Sequence, residues 1–301
     1  MKSNYNLAGM IGIGLLFCTA CGGNGSNPPE NSNDTLTTHT ESRPEPTEKA
    51  GIKGTAGYLY VDDGGNGSIP LLFIHSFGGD THQWDIQLQY FRKERRAIAM
   101  DLRGHGQSEA PAANQYGIDE QAGDIAAVVD SLGLSKFVLV GHSMGGSAAI
   151  DYAAKHPDKV AGLVLTGTPG KIPPAQYKPI LSSLEADSSY QKVMDAYMKK
   201  LLTNAKPAVA TEVTNGFKKI PKDVTVTIIR NNFEFDPVPA LKQYKGPALI
   251  ISGDADKQPG SLHQFFPAIP QVEISGTSHW IQLDKPDEFN KALEDFLKKI
   301  H

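Results

Sequence analysis

The sequence predicts an α/β fold in which a mostly parallel central sheet is flanked by helices and carries a small inserted helical cap. Short runs rich in Val, Ile and Leu alternate along the chain with amphipathic helical patterns, which is typical of right-handed β-α-β crossovers. Between residues 170 and 236 this alternation stops and only helical patterns follow. We therefore expect a core formed by residues 51–169 and 237–301, with a cap over residues 170–236.

The predicted core opens near Gly51 with GTAGYLYVDDGGNG, an alternating segment whose glycines favour a β-hairpin at a sheet edge. Apolar runs then predict buried strands within IPLLFIHSFGGD, RRAIAMDLRGHGQS, the VLV before Gly141, VAGLVLTGT and GPALIISGDADK. Helical spacing predicts helices over 81–94 and 118–132, with Gly133 placed to end the second. A further helix follows residue 143 as far as Pro157, and an amphipathic helix, PDEFNKALEDFLKKI, closes the chain.

Composition narrows the class of function. The 301 residues are 40% hydrophobic and 21% charged, which suits one larger α/β domain. A formal net charge of −4 provides no basic surface for nucleic acid, so small-molecule chemistry is the better expectation.

The N-terminal segment differs from the rest of the chain. Residues 1–21 contain one Lys, a short apolar run and both cysteines, Cys18 and Cys21, so the folded region has no cysteine for a disulfide or a metal site. This segment resembles a bacterial lipoprotein signal peptide, although Cys18 occupies a position where that pattern usually has Leu. The resemblance implies a lipid anchor at Cys21 in the cell envelope, on the periplasmic or surface side. The alternative is an ordinary signal cleaved after Ala20.

The segment that follows, residues 22–50, contains one large aliphatic residue and no aromatic residue. Such a composition cannot bury enough apolar surface to fold, so it predicts a disordered linker.

The sequence Gly141-His142-Ser143-Met144-Gly145 links a predicted strand to a predicted helix. A G-x-S-x-G turn between a strand and a helix can expose a serine hydroxyl, because its two glycines leave room for the tightly folded backbone. The N-terminus of the helix also directs N–H groups toward negative charge that develops beside that hydroxyl. The pattern in this setting predicts a nucleophilic serine.

Five motifs together resemble the α/β-hydrolase family with a cap, over roughly residues 52–299. They occur in the family's order: HSFGG, DLRGHGQS, GHSMGG, SGDADK and SGTSHW. The resemblance implies that Ser143 is the nucleophile and His279 the general base. It favours Asp256 as the acid that orients the base, with Asp254 as the alternative.

The same resemblance implies an oxyanion hole made by the backbone N–H groups of Phe77 and Met144. Many relatives have His-Gly in the first of these loops, where this chain has His75-Ser76. We therefore expect a slightly different loop geometry here.

The expected activity is hydrolysis of a small ester through a covalent acyl-enzyme, without a cofactor or a metal. Relatives that attack haloalkanes or epoxides use Asp as the nucleophile, which Ser143 excludes. Two alternatives remain open. One is hydrolysis of a carbon–carbon bond or a lactone, or perhydrolysis, by the same residues. The other is a slow-turnover ligand-binding or signalling protein on this fold.

Overall fold

The computed structural model of the protein describes residues 51–257 and 260–300. The predicted signal peptide, with Cys18 and Cys21, and the predicted linker over residues 22–50 lie outside the described residues. No helix in the described part of the chain is both long and apolar enough to cross a membrane.

Seven strands form the central sheet, and two short strands precede it. The short strands β1 (Ile52–Lys53) and β2 (Tyr58–Leu59) pair with each other in an antiparallel hairpin. The sheet has the order β3-β5-β4-β6-β7-β8-β9, and only the edge strand β3 runs antiparallel to its neighbour. Its strands are β3 (Val61–Gly64), β4 (Ser68–Ile74), β5 (Arg95–Met100), β6 (Phe137–His142), β7 (Val160–Thr166), β8 (Ala248–Ser252) and β9 (Gln271–Glu273). The predicted mostly parallel sheet is therefore confirmed.

One local expectation was right only in part. The segment does supply an edge strand of the sheet, β3, but the glycines after β3 do not close a hairpin between neighbouring strands, because β5 lies between β3 and β4. The connection instead crosses the start of β5, where a Cβ atom at Gly65 would lie 2.4 Å from the carbonyl oxygen of Arg95. Gly65 has a φ of 73°, so this crossing needs a residue without a side chain.

Helices cover both faces of the sheet. Alternate residues of each strand face opposite sides. Leu72 and Ile74 therefore pack toward the helices over residues 118–131 and 144–155, while Leu71 and Phe73 pack toward the helices over residues 85–91 and 286–297. This two-sided burial explains why the strands are continuous apolar runs. The helices around the sheet are α1 (Asp85–Phe91), α2 (Ile118–Ser131), α3 (Met144–Lys155), α8 (Pro237–Gln243), α9 (Leu262–Phe265), α10 (Ile281–Asp284) and α11 (Pro286–Leu297).

The helix predicted over 118–132 is confirmed as α2. Leu132 follows it, and Gly133 then takes a φ of 64°, the left-handed conformation that commonly ends a helix.

Four further helices lie between β7 and β8 with no strand among them: α4 (Pro174–Glu185), α5 (Asp187–Leu201), α6 (Pro207–Lys218) and α7 (Lys222–Glu234). We call α4–α7 the inserted helices. Val209 and Val213 of α6 share an apolar cluster with Trp280 and Leu283, which come from the segment after β9. The insertion thus packs onto the carboxyl side of the sheet, where parallel α/β sheets place their ligand sites.

A buried ion pair fixes the loop after β5. The Arg103 guanidinium donates to both carboxylate oxygens of Asp124 on α2, at 2.6 and 2.8 Å, and to the Thr55 hydroxyl at 2.6 Å. The side chains of Arg103 and Asp124 are 2% and 1% exposed. The pair therefore joins the first hairpin, the loop after β5 and α2 away from water.

We predict that Arg103→Met lowers the free energy of unfolding by about 3–5 kcal/mol, because it leaves the Asp124 carboxylate buried without its partner. Arg96→Met is the matched control, since Arg96 makes a comparable two-oxygen pair with Asp63 that is about 30% exposed. The control should lose less than about 1 kcal/mol. Urea unfolding measures both, and equal losses would show that burial does not set the contribution of the Arg103 pair.

Candidate active site

Ser143 occupies the turn between β6 and α3 in a strained conformation. Its φ is 54° and its ψ is −118°, which a residue with a side chain rarely adopts and which costs of order 1–3 kcal/mol. The flanking glycines make the turn possible. A Cβ atom at Gly141 would lie 2.6 Å from the carbonyl oxygen of Gly145, and one at Gly145 would lie 2.4 Å from that of His75. Strain held at a single serine on a strand-to-helix turn suits a nucleophile.

The two predicted oxyanion donors, Phe77 and Met144, lie on either side of the contact between Gly145 and the His75 carbonyl. In the described part of the chain, neither the Phe77 N–H nor the Met144 N–H donates to a protein acceptor. Met144 is the first residue of α3, so its N–H lies at the positive end of the helix dipole. Both groups remain free to donate to a negatively charged oxygen.

The loop that carries Phe77, residues 75–79, has one residue in the left-handed conformation. Its left-handed residue is Gly78, with a φ of 72°, whereas Ser76 keeps a negative φ. The Ser76 hydroxyl donates to the Gln83 side-chain oxygen at 3.2 Å. Ser76 is therefore compatible with this loop because the turn that needs a glycine comes two residues later. We call residues 75–79 the oxyanion loop.

His279 lies beside Asp256. The distance from His279 Nδ1 to Asp256 Oδ1 is 3.3 Å, and the two side chains are 10% and 15% exposed. The other carboxylate oxygen of Asp256 accepts the Gly253 N–H at 2.9 Å. An Nδ1–H that donates to a carboxylate leaves Nε2 unprotonated, as a general base requires.

Asp254 makes different contacts. One of its carboxylate oxygens accepts the Gly276 N–H at 2.7 Å, and the other lies 3.2 Å from Lys257 Nζ. The hydrogen bond from Gly276, followed by that from Lys257, lowers the pKa of Asp254 below its ordinary value. Of the two carboxylates that the sequence left open, the structure places Asp256 against the histidine ring.

The structure brings His279 to the turn that carries Ser143. The His142 ring lies 4.9 Å from the His279 ring, and His142 Nε2 donates to the His279 carbonyl oxygen at 2.9 Å. A Cβ atom at Gly167 would lie 2.8 Å from His279 Cε1, so only a glycine leaves space for the ring there. No hydrogen bond joins the Ser143 hydroxyl to His279 within the described residues. Such bonds are often long in the absence of substrate.

Helix α6 covers the oxyanion loop. A Cβ atom at Gly216 would lie 2.1 Å from the Gly78 carbonyl oxygen, so the two backbones touch. The Phe217 ring lies 4.7 Å from Phe77 and 6.3 Å from Trp280, in edge-to-face contact with both. Through Phe217, the inserted helices therefore contact both the oxyanion loop and the residue that follows His279.

Sequence reasoning missed several residues that hold the site. Gln282 Nε2 lies 3.2 Å from His142 Nδ1, and the Leu201 carbonyl accepts the His279 N–H at 2.9 Å. Asp284 accepts the Ser278 N–H at 2.8 Å. Two of these contacts join positions far apart in the sequence, and the Ser278–Asp284 contact is local. The polar residues Gln282 and Asp284, which alternate with apolar residues after His279, were the only hint of them.

Across residues 51–257 and 260–300, no three His, Cys, Asp or Glu side chains come together in a way that could hold a metal ion.

Comparison with known proteins identifies the family. The family model for the alpha/beta hydrolase fold matches residues 69–217. The chain is 30% identical over 277 residues to epoxide hydrolase 3 from Xenopus tropicalis, in a match that covers 80% of this chain and 75% of that protein. The protein therefore belongs to the α/β-hydrolase family.

Two solved structures resemble it over most of their length. An esterase from Thermogutta terrifontis is 26% identical with a TM-score of 0.73, covering 83% of this chain and 98% of the other. An enol-lactonase from Burkholderia xenovorans is 27% identical with a TM-score of 0.69, covering 80% and 97%. Relatives that cleave different bonds support a hydrolase and leave its substrate open.

Three buried histidines around the site share an unusual electrostatic state. Burial lowers the pKa of His75 from 6.5 to about 4 and that of His105 to about 3, and nearby His75 is a further cause at His105. Burial also lowers the pKa of His142 well below its ordinary value. Two carboxyls have opposing shifts, because burial raises the pKa of Asp101 to about 6 and also raises that of Glu212.

We predict that the free energy of unfolding falls as the pH falls from about 6.5 toward 4. In that window the unfolded chain binds protons at the histidines that the folded chain does not, so stability present above pH 6.5 is lost on acidification. Asp101 and Glu212 act in the opposite sense, since the stability from a group whose folded pKa is raised is lost as the pH rises through that pKa. Two carboxyls offset only part of the effect of three histidines.

Urea unfolding at several pH values measures this dependence. His105→Gln should make the slope shallower, whereas His82→Gln, which changes an exposed side chain 52% accessible to solvent, should not. Equal slopes for His105→Gln and the wild type would contradict the assignment.

Proposed function

We propose that the protein is a serine hydrolase that cleaves a small ester through a Ser143–His279–Asp256 triad. The observation that carries the proposal is the strained Ser143 turn, which lies beside two N–H groups that donate to no protein acceptor. The His279–Asp256 pair lies next to this turn, since the His279 ring is 4.9 Å from the ring of His142, the residue before Ser143. A nucleophile, a base with its orienting acid, and oxyanion donors are the parts that acyl transfer needs.

The chemistry takes two steps. The Ser143 hydroxyl oxygen bonds to the ester carbonyl carbon as its proton moves to His279 Nε2, and the carbonyl oxygen becomes an anion that accepts from Phe77 N–H and Met144 N–H. The carbon–oxygen bond then breaks, and the leaving alcohol takes the proton from His279. Water repeats the sequence on the acyl-serine, which releases the acid and restores the serine.

Relatives support this choice in different ways. The Thermogutta terrifontis protein is named an esterase, which favours the same bond here. The Xenopus tropicalis protein is named an epoxide hydrolase, but position 143 of this chain is a serine, and the epoxide-cleaving relatives attack with an aspartate. We infer that epoxides are not its substrates.

A lactone is the second candidate substrate. The specific observation that favours it is the similarity to an enol-lactonase over 97% of that chain. A lactone is a cyclic ester, so the same residues would open it through the same acyl-serine. Carbon–carbon bond hydrolysis, perhydrolysis and slow-turnover binding remain alternatives that a substrate panel separates.

We predict that Ser143→Ala lowers kcat by about 10⁴-fold or more on p-nitrophenyl esters, because the nucleophile is lost. Initial rates with acyl chains of increasing length, and with a lactone, measure both the activity and the size of the pocket.

Ser147→Ala is the matched control for this test. Ser147 lies one turn further along α3, and its hydroxyl donates to Asn232 Oδ1 at 3.0 Å. The control variant should keep its activity within about threefold, since the bond it loses is an ordinary neutral one. A folded wild type with no Ser143-dependent turnover on any ester or lactone would reject the proposal and favour the alternatives.

We also propose that a lipid at Cys21 anchors the protein to a bacterial envelope membrane. The support is the sequence of residues 1–21 and the polar linker that follows it. Expressed in a bacterial host, Cys21→Ala should move the full chain from the membrane fraction to the soluble fraction, whereas Cys18→Ala should not. Release by both variants, or by neither, would contradict a lipid on Cys21.

A further inference from the structure

The loop that carries the proposed base is hydrogen-bonded to the inserted helices. We call residues 276–280 the histidine loop and residues 202–206 the α5–α6 connection. The carbonyl of Leu201, the last residue of α5, accepts the His279 N–H at 2.9 Å. The backbone of the base is therefore bonded directly to the insertion.

A buried carboxylate makes a second link. One oxygen of Asp284 accepts the Lys206 N–H at 2.9 Å, and the other accepts the Ser278 N–H at 2.8 Å and the Ser278 hydroxyl at 2.5 Å. Asp284 is 2% exposed and Ser278 is fully buried. Hydrogen bonds to an ionised acceptor are roughly twice as strong as neutral ones, and burial shields these from water.

A third link involves Asp254. Its carboxylate accepts the Gly276 N–H at 2.7 Å and lies 3.4 Å from the Asn204 side-chain nitrogen. Asn204 holds a left-handed φ of 68°, which places its side chain toward the core loops rather than continuing α5. The histidine loop is thus tied at its start, by Gly276, as well as at Ser278 and His279.

Apolar packing supports the same junction. Trp280, fully buried, clusters with Leu283 and with Val209 and Val213 of α6, and Leu201 and Leu202 pack against this cluster. The residue directly after the proposed base is therefore part of the hydrophobic core of the insertion.

We propose that Asp284 and the α5–α6 connection act as positioning elements that hold His279 in place, so that the base is ordered only while this connection is seated. The proposal rests on the proposed function for the role of His279, but the link between the two loops can be tested without it.

Lys206 offers a variant that removes the hydrogen bond from its N–H to Asp284. Lys206 has a φ of −61° and a ψ of 145°, values that proline adopts, and the residue after it is already Pro207. Lys206→Pro deletes the N–H that Asp284 accepts. Lys206→Ala is the matched control, since it removes the same side chain and keeps that N–H.

Two measurements on the full chain decide the proposal. In hydrogen exchange, Lys206→Pro should speed exchange at Ser278 and His279 at least tenfold relative to Lys206→Ala. In ester hydrolysis, it should lower kcat about five- to tenfold with KM changed less than twofold, because the substrate pocket is intact while the base is ordered for less of the time. Asp284→Asn should change both readouts in the same direction and by more.

The outcomes separate this proposal from the proposed function. Equal exchange in the proline and alanine variants overturns the link, whatever the activity. Faster exchange with an unchanged kcat, in an enzyme whose turnover needs Ser143, overturns the positioning role alone. Absence of Ser143-dependent turnover in the wild type rejects the esterase, and faster exchange in the proline variant would then still support the link between the loops.

Discussion

The contact between the end of β4 and the start of α3 is the constraint on which the site depends. Gly145 lies against the carbonyl oxygens of Ile74 and His75 so closely that a Cβ atom would be 2.7 and 2.4 Å from them. This approach places the oxyanion loop beside the first N–H groups of α3. A side chain at position 145 would separate Phe77 from Met144, and neither N–H alone would form the proposed oxyanion hole. Strand β4 and the strand that precedes Ser143, β6, are parallel neighbours in the sheet, so their carboxyl ends lie side by side.

The sequence could predict those parts of the site that lie within one motif. Ser143 and Met144 belong to one strand–turn–helix pattern, and Phe77 lies in the short loop after β4, which ends at Ile74. The sheet itself was predictable because its central strands β4, β6 and β7 are largely buried on both faces and so read as nearly unbroken apolar runs. Local pattern and local structure agree in these segments.

Other parts depend on distances that a linear pattern does not encode. Asp254 and Asp256 lie in one short 3-10 turn and differ in their partners. Asp254 binds Gly276 and Asp256 binds His279, two residues of another loop. Spacing alone therefore could not choose between the carboxylates. The wrong hairpin at β3 has the same origin, since glycines mark a turn but do not show that β5 lies between the strands it joins.

The polar residues behind His279 illustrate a further limit. Gln282 bonds to His142 across 140 positions, and Gln87 Nε2 lies 3.2 Å from both the Gln282 carbonyl and Asn290 Oδ1. In the sequence, buried polar residues of this kind look like exceptions to an apolar helix pattern. Their structural role is visible only from their hydrogen-bond partners, because a buried amide left without its partner lowers stability by about 1–3 kcal/mol.

The insertion contacts the candidate site at two places. Its helices lie on the oxyanion loop at Gly216 and Phe217, and the same helices hold the loop of the proposed base. Their two junctions with the core differ. The junction at the start of the insertion carries the Lys171–Asp236 pair, whose side chains are 53% and 33% exposed, and such pairs contribute roughly 0–1 kcal/mol. The α5–α6 connection instead bonds to a carboxylate that is almost completely buried, where hydrogen bonds contribute about 1.5–3 kcal/mol each. Among these polar contacts, the stronger tie between the insertion and the core therefore lies at the His279 side.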